Sequence, residues 1–306
     1  MRIVSFSTPG TDPQPGFLVG TDVVASQAVL APGSPGSIPE LLAQWHETRS
    51  AVASAVRAGV SPIPGTDVRL HAPVGRGALI LCAGGNYRSH LKEMGESVPE
   101  RAPSFLKSPN AVAGPGDPIV LPPEFPDMID FEGELCVVFG RPCHRVRSHE
   151  AMNYVAGYTI LNDVSDRHRV AAMLAAATPV EGRWSVIEML MGKQLPTFAP
   201  IGPAILTADE VPDPAALHLT TRLNGEVMQD ASVADLIVGI PELIEEMSHY
   251  YSFEPGDLLS TGTPAGTGAG QHPPRYLKAG DQVTIEVTGI GELTNPVAHE
   301  RRDERR

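Results

Sequence analysis

The sequence predicts a β-rich α+β protein with few, peripheral helices. Short apolar runs recur, some alternating and some β-branched throughout, as strands do. Turn signals separate them closely, with 30 Gly and 30 Pro in 306 residues. Helical periodicity is confined to a few segments, which argues against the regular strand–helix alternation of a doubly wound parallel sheet.

The elements follow in order. Residues 1–70 read as a small N-terminal α/β module. Arg2 to Phe6 alternates as a first strand, Pro9-Gly-Thr-Asp-Pro is a turn, and Gly16 to Gly20 returns as a hairpin. Ile38 to Ala58 carries a helical pattern, with Pro39 in its first turn and Gly59 beyond its end. Ser61-Pro-Ile-Pro-Gly reads as a linker. Ala78 to Ala83 is a buried-strand pattern, and Asn86 to Gly95 a short helix that puts His90 and Glu93 at i, i+3 on one face. A carboxylate beside an imidazole suits a general base; a solvated ion pair is the alternative. Lys107 precedes a turn, and Ile119 to Leu121 is a short strand.

The stretch Asp130 to Phe139 comes next. As a strand it puts Glu132 and Glu134 on one face and Phe131, Gly133 and Leu135 on the other. Two like charges one strand repeat apart call for a cation, and carboxylate oxygen suits a hard divalent ion. An edge strand with two solvated glutamates is the alternative. Tyr154 to Leu161 is a strand ending at Asn162-Asp163. From His168 to Met191 the pattern is helical, interrupted at Thr178, with Met173, Leu174 and Met191 read as core. Pro196 to Pro203 reads as a rigid wall. Leu217 to Leu223 leads into the hairpin signal Asn224-Gly225. Pro241 to Tyr251 is the clearest helix, with a stripe of Leu243, Ile244, Met247 and Tyr251. The loop Thr261 to Gly268 is rich in small donors and suits an anion, but it lacks the Lys and spacing of a P-loop. Val283 to Val287 and the Gly289 segment close the body.

Composition narrows the function classes. Apolar residues make up 42% and charged residues 19%, the profile of a globular enzyme. Lys and Arg number 23 against 36 Asp and Glu, a net charge of −13, which disfavours nucleic acid as a partner. Cys82, Cys136 and Cys143 form no C-x-x-C pair, so neither a disulfide framework nor a zinc ribbon is expected. No apolar run reaches membrane-spanning length, and no signal-peptide pattern opens the chain, so no membrane partner and a cytoplasmic location are expected.

The ordered motifs resemble those of the fumarylacetoacetate hydrolase family. They are Asn-Tyr-x-x-His-x-x-Glu at 86–93, Phe-x-Lys-x-Pro at 105–109, Asp-Phe-Glu-x-Glu-Leu at 130–135 and Gly-Tyr-Thr-x-x-Asn-Asp-Val-Ser at 157–165. Gly-Lys at 192–193, Thr-Phe-Ala-Pro-x-Gly-Pro at 197–203, Glu-Pro-Gly-Asp at 254–257, Thr-Gly-Thr-Pro-Ala-Gly at 261–266 and Gly-Ile-Gly-x-Leu-x-Asn-Pro at 289–296 follow. The resemblance implies a mixed β-roll as the catalytic domain over 71–298, followed by a charged tail at 299–306. It also implies a homodimer and a bound Mg²⁺ or Mn²⁺, with Ca²⁺ an option. It implies Glu132, Glu134 and Asp163 as metal ligands, His90 and Glu93 as the dyad that activates water, and Lys193 as a contact to substrate oxygen. Tyr87, Arg167 and Thr263 are implied as substrate-binding residues. Two departures stand out. Val170 occupies the place where the family usually has Gln, and residues 171–190 are longer than in compact members, as an added wall or lid.

The resemblance points to a small anionic 2-oxo acid as substrate. Hydrolysis of a C–C bond in a 2,4-dioxo acid of the acylpyruvate or fumarylpyruvate type, through a pyruvate enolate on the metal, is the first expectation, as in aromatic-compound catabolism. Decarboxylation of an oxaloacetate-type acid, or isomerisation of a 2-hydroxy-diene-dioate, uses the same half-site. A keto-acid-binding protein without turnover is the non-enzymatic rival.

Overall fold

The computed structural model describes residues 1–30, 35–75 and 77–300, the side chains of 172–174 excepted. The chain folds as a β-rich α+β body built on two sheets. The larger runs in the order Asp22–Ala25, Gln14–Val19, Arg2–Ser7, Ala199–Thr207, Val155–Asn162, Gly133–Phe139, Leu258–Ser260, Ile80–Ala83 and Ser104–Lys107. The second runs Glu226–Ser232, His218–Leu223, Gln282–Val287, Gly291–His299 and Ile119–Leu121. Pairing is mainly antiparallel, but Leu258–Ser260 lies parallel to Ile80–Ala83. Among the described residues no helix is long and apolar enough to cross a membrane.

The strand Gly133–Phe139 sits inside the larger sheet and is buried at every position. Leu135, Val137 and Phe139 face the core shared with Leu219, Leu223 and Ile285 of the second sheet. Cys136 and Val138 face a different core, with Leu41 and Trp45 of the N-terminal helices. Burial on both faces explains why the run reads as continuously apolar. Full burial of Phe139, stacked on Phe253 at 4.2 Å between ring centroids, contributes about 2–3 kcal/mol.

The N-terminal strands extend the larger sheet. Arg2 pairs with Leu206 and Ile3 with Ile205, so residues 1–70 cover what would otherwise be an open sheet edge. The expected helix over 38–58 is two helices, Ile38–Ala43 and Trp45–Arg57, with Gln44 out of helical geometry between them. The break lets Leu41, Leu42 and Trp45 enter one core together. Pro196 to Pro203 also departs from expectation: from Ala199 it is the start of a nine-residue buried strand. A register irregularity between Tyr158 and Ile160, opposite this proline-bearing half, accommodates residues that lack an N–H to donate.

Thr178 caps the helix Pro179–Met191 by accepting from the Glu181 amide. Met191, read from sequence as core, is 57% exposed, and Val180, Trp184 and Ile187 stand out with it on one face. No residue of this helix is buried, so it fills no core. Met173 and Leu174 lie outside the described side chains, and the tail from 301 on lies outside the described residues. Asn224 and Gly225 adopt positive φ (54° and 86°), as a tight hairpin turn requires.

Asp281 ties this hairpin to the start of the neighbouring strand Gln282–Val287 in the same sheet. It accepts from Asn224 Nδ2 at 2.7 Å and from the Lys278 amide at 2.8 Å. Burial raises its carboxyl, but Asn224, Lys278 and Arg275 together hold it below the ordinary 3.8. Asp281→Ala is expected to cost roughly 1–3 kcal/mol near neutral pH. A depressed carboxyl stabilises only while ionised, so the stabilisation is present above the unfolded value and is lost as pH falls through the folded one. Urea unfolding of both proteins at neutral and acid pH should show the gap closing on acidification.

Candidate active site

Four buried carboxylates meet at one end of the strand Gly133–Phe139. Glu134 is its second residue, and Glu132 lies on the loop just before it. Asp163 follows the neighbouring strand Val155–Asn162 and donates its backbone N–H to the Glu132 carbonyl at 2.8 Å. One oxygen from each of Glu132, Glu134 and Asp163 lies within 4.8 Å of the others, and all three residues are at most 5% exposed. These are not solvated glutamates on an edge strand. Asp130, fully buried, is the fourth acid.

Gly133 explains the spacing of the two glutamates. A Cβ there would lie 2.3 Å from Thr221 Oγ1 and 3.1 Å from Gln229 Oε1. Only a bare backbone lets the second sheet approach this closely, and Gln229 Oε1 then accepts the Gly133 N–H at 2.9 Å.

Three cations answer the four acids. Lys107 Nζ, with no exposed side-chain surface, donates to Asp163 Oδ1 at 2.5 Å. Lys193 Nζ donates to Asp163 Oδ2 at 2.5 Å, Glu132 Oε2 at 2.8 Å and Ser165 Oγ at 2.8 Å, and lies 4.8 Å from the Phe105 ring centroid. Arg167 donates from Nε to Asp130 Oδ2 at 2.8 Å and from Nη2 to Glu132 Oε1. Burial would raise the Glu132 carboxyl, but Arg167, Lys193 and His90 hold it well below the usual range. Burial also opposes the Lys193 ammonium, yet Asp163 and Glu132 keep it protonated.

Glu134 stands apart. Ser260 Oγ donates to its Oε2, and no cation pairs with it among the described residues. Burial, then Asp163 and Glu132, push its carboxyl well above the ordinary value. Formally, four carboxylates face three cations and one negative charge is left over. Three convergent carboxylate oxygens with an uncompensated charge fit a hard divalent cation. Glu132, Glu134 and Asp163 would hold it.

The helix Arg88–Met94 brings His90 and Glu93 to the same place. His90 Nδ1 lies 3.5 Å from Glu93 Oε2, with the side chains 13% and 16% exposed. Glu93 Oε1 accepts the Gly266 amide at 2.9 Å. Burial raises the Glu93 carboxyl, but His90 and Gly266 outweigh it and hold it below the usual range. Gly266 has φ +98°, and a Cβ there would fall 1.9 Å from the Met228 carbonyl oxygen. Glycine is therefore required for the loop to reach Glu93.

The glycine-rich loop does cradle anions, but those of its own chain. Besides Gly266 on Glu93, the Gly268 and Ala269 amides donate to Asp130 at 2.7 and 3.0 Å. Thr263, implied as a substrate contact, donates its hydroxyl to the Gly133 carbonyl at 3.0 Å and accepts from Gln229 at 2.7 Å. Tyr87 is fully buried, and burial followed by Glu134 pushes its phenol up. Arg167, implied as a substrate contact too, is engaged with Asp130 and Glu132. Val170 is partly exposed on the helix Arg167–Leu174.

Sequence reasoning gave no role to Asp130, Lys107 or Ser260. Lys107 and Asp130 each sit inside a quoted motif, and a lone charge beside an apolar run was the available signal. Ser260 carries no such signal.

The model of the fumarylacetoacetate (FAA) hydrolase C-terminal domain matches residues 79–298. The chain is 36% identical to the mitochondrial oxaloacetate tautomerase FAHD2A of Bos taurus over 299 residues, covering 97% of this chain and 91% of that one. It is 38% identical over 235 residues to oxaloacetate tautomerase YisK of Bacillus subtilis, covering 76% and 74%. Among solved structures, maleylpyruvate hydrolase from Sphingobium sp. SYK-6, in complex with manganese(II) and pyruvate, superposes with a TM-score of 0.79 at 28% identity, covering 98% of this chain and 100% of that one.

Proposed function

Because this chain belongs to the fumarylacetoacetate hydrolase family, we propose that it is a metal-dependent enzyme interconverting the enol and keto forms of a short 2-oxo dicarboxylic acid of the oxaloacetate type. One observation carries the reading. A histidine whose Nδ1 lies 3.5 Å from a carboxylate, and a buried ammonium, flank three convergent carboxylates in a chain similar over 97% of its length to an oxaloacetate tautomerase.

Glu132, Glu134 and Asp163 would hold a divalent ion, which would supply Lewis acidity toward the 2-oxo acid and turn the leftover negative charge into a positive one, suiting an anionic substrate. The chain's residues do the rest. Glu93, anchored by Gly266, faces His90 Nδ1 at 3.5 Å, a gap that substrate binding would close, and leaves Nε2 to exchange a proton. His90 takes the enol hydroxyl proton and returns one to the adjacent carbon; the reverse step restores the enol, and nothing else is consumed. Lys193 presents a fixed positive charge where the oxygen becomes negative. Arg167 and Lys107 hold Asp130, Glu132 and Asp163 in place.

His90→Asn is expected to slow loss of the enol ultraviolet absorbance roughly 10²- to 10⁴-fold, while Mn²⁺ binding by calorimetry stays intact. Hydrolysis of an acylpyruvate is the second reading. It is favoured by the likeness to maleylpyruvate hydrolase and by the same dyad, which can equally activate water. Oxaloacetate and an acylpyruvate should be assayed side by side with Mg²⁺ or Mn²⁺, with pyruvate release measured in both. Pyruvate release from the acylpyruvate outpacing tautomerisation would replace the first reading with the second.

A further inference from the structure

The chemistry above makes no use of Tyr158. This residue is fully buried, and its hydroxyl has no hydrogen-bond partner among the described residues. It lines a cavity of about 450 Å³, within the size range of small-molecule sites. The other walls are largely apolar, including Met152, Val211, Pro214, Leu236 and Ile240. Tyr158 lies five residues before Asp163 on or beside one strand, roughly 16 Å away at the usual rise per residue. The cavity is therefore separate from the carboxylate site.

Its chemistry selects the ligand. Among the described residues no Lys, Arg or His lines it, and Asp213 is the one charged lining residue. The helix Ile240–Ser248 begins at its wall, but Pro241 brings no N–H, and Glu242 folds back so closely that a Cβ on Gly239 would lie 2.7 Å from its Oε2. The positive end of the helix is thus already answered, and an anion would find no counter-charge. The phenol can donate to an acceptor; burial, then Asp213, push its pKa up, so it keeps its proton.

The cavity wall also caps the dyad helix. Ile237 N donates to the Asn86 carbonyl at 2.8 Å, and Val238 N to Asn86 Oδ1 at 2.9 Å. Asp235 Oδ2 accepts the Ser89 amide at 2.9 Å, and Arg88 Nη1 donates to the Leu236 carbonyl at 2.5 Å. The residues from 233 to 239 touch the cavity on one side and the start of Arg88–Met94 on the other.

We propose that this cavity is a second binding site, for a small neutral apolar molecule carrying one carbonyl oxygen that accepts from Tyr158, and that its occupancy stiffens the helix bearing His90 and Glu93. The inference does not depend on which reaction the carboxylate site performs. Acetophenone is a suitable probe, titrated calorimetrically into the full chain loaded with Mn²⁺. Saturable binding is expected, weakened roughly two- to tenfold by Tyr158→Phe. Ala234→Trp, at an exposed position on the cavity rim, should abolish it. Oxalate should not displace the probe. Amide hydrogen exchange over 86–94 should slow with acetophenone in the wild type and stay unchanged in Ala234→Trp. Absence of saturable binding, binding indifferent to both variants, or displacement by oxalate would overturn the site. Binding that leaves exchange over 86–94 unchanged would overturn the coupling.

Discussion

Glu134→Gln is expected to weaken Mn²⁺ or Mg²⁺ binding by more than roughly 100-fold, since even groups that only support metal ligands cost 10–100-fold, and to lower kcat/KM in step. Glu134 is the most informative of the three proposed ligands to change. Glu132 also anchors Arg167 and Lys193, and Asp163 anchors both lysines, so replacing either disturbs an ion-pair network as well. Among the described residues Glu134's carboxylate has only the Ser260 hydroxyl. Burial, with Asp163 and Glu132, already disfavours its ionised form. A carboxyl raised on folding destabilises the folded state as pH climbs past its ordinary value of 4.5, because the unfolded chain gives up the proton first. The metal-free variant should therefore be at least as stable as the metal-free wild type near neutral pH, while losing the stabilisation that metal confers on the wild type. Thermal melts with and without Mn²⁺, beside calorimetric titration, test both halves. Unchanged Mn²⁺ affinity would remove Glu134 from the ligand set.

Lys107→Met should act the other way, on the fold first. Lys107 is wholly buried, and its partners are Asp163 at 2.5 Å and the Val164 carbonyl at 3.3 Å. Removing one partner of a buried pair typically costs about 3–5 kcal/mol, because the remaining charge stays desolvated. Lys193 still reaches Asp163 Oδ2, which places the expected loss at about 3 kcal/mol, the lower end of that range. Bound Mn²⁺ should recover part of it by supplying positive charge to the same carboxylate. Urea unfolding with and without Mn²⁺ measures this, and a variant as stable as the wild type in both conditions would show that Lys107 is dispensable to the pair.

Much of the fold was legible because its signals are local. Asn224-Gly225 announces its hairpin through the positive φ both residues adopt. The interruption read at Thr178 is where the helix Pro179–Met191 starts, capped by Thr178 on the Glu181 amide. Leu243, Ile244 and Met247 of the predicted stripe go inward, whereas the helix ends at Ser248 and Tyr251 lies beyond it, half-buried. The exposed face of Pro179–Met191 was misread at Met191 because an apolar stripe looks the same whether or not something covers it. The break at Gln44 was invisible because the helical period continues across it; the packing of Leu41, Leu42 and Trp45 decides where the chain turns.

The sequence by itself determined the donor chemistry: two glutamates one strand repeat apart, an aspartate after the next strand, and a histidine one helical turn from a glutamate. These are short-range relations that backbone geometry converts directly into proximity. Only the tertiary structure decided how their charges are balanced. Lys107 meets Asp163 across 56 residues, Ser260 meets Glu134 across 126, and Gly268 meets Asp130 across 138. Such pairings depend on sheet order and on how closely backbones approach, and no local periodicity encodes either. In a buried site the partner determines whether a carboxylate is held ionised, as Glu132 is, or pushed toward its neutral form, as Glu134 is.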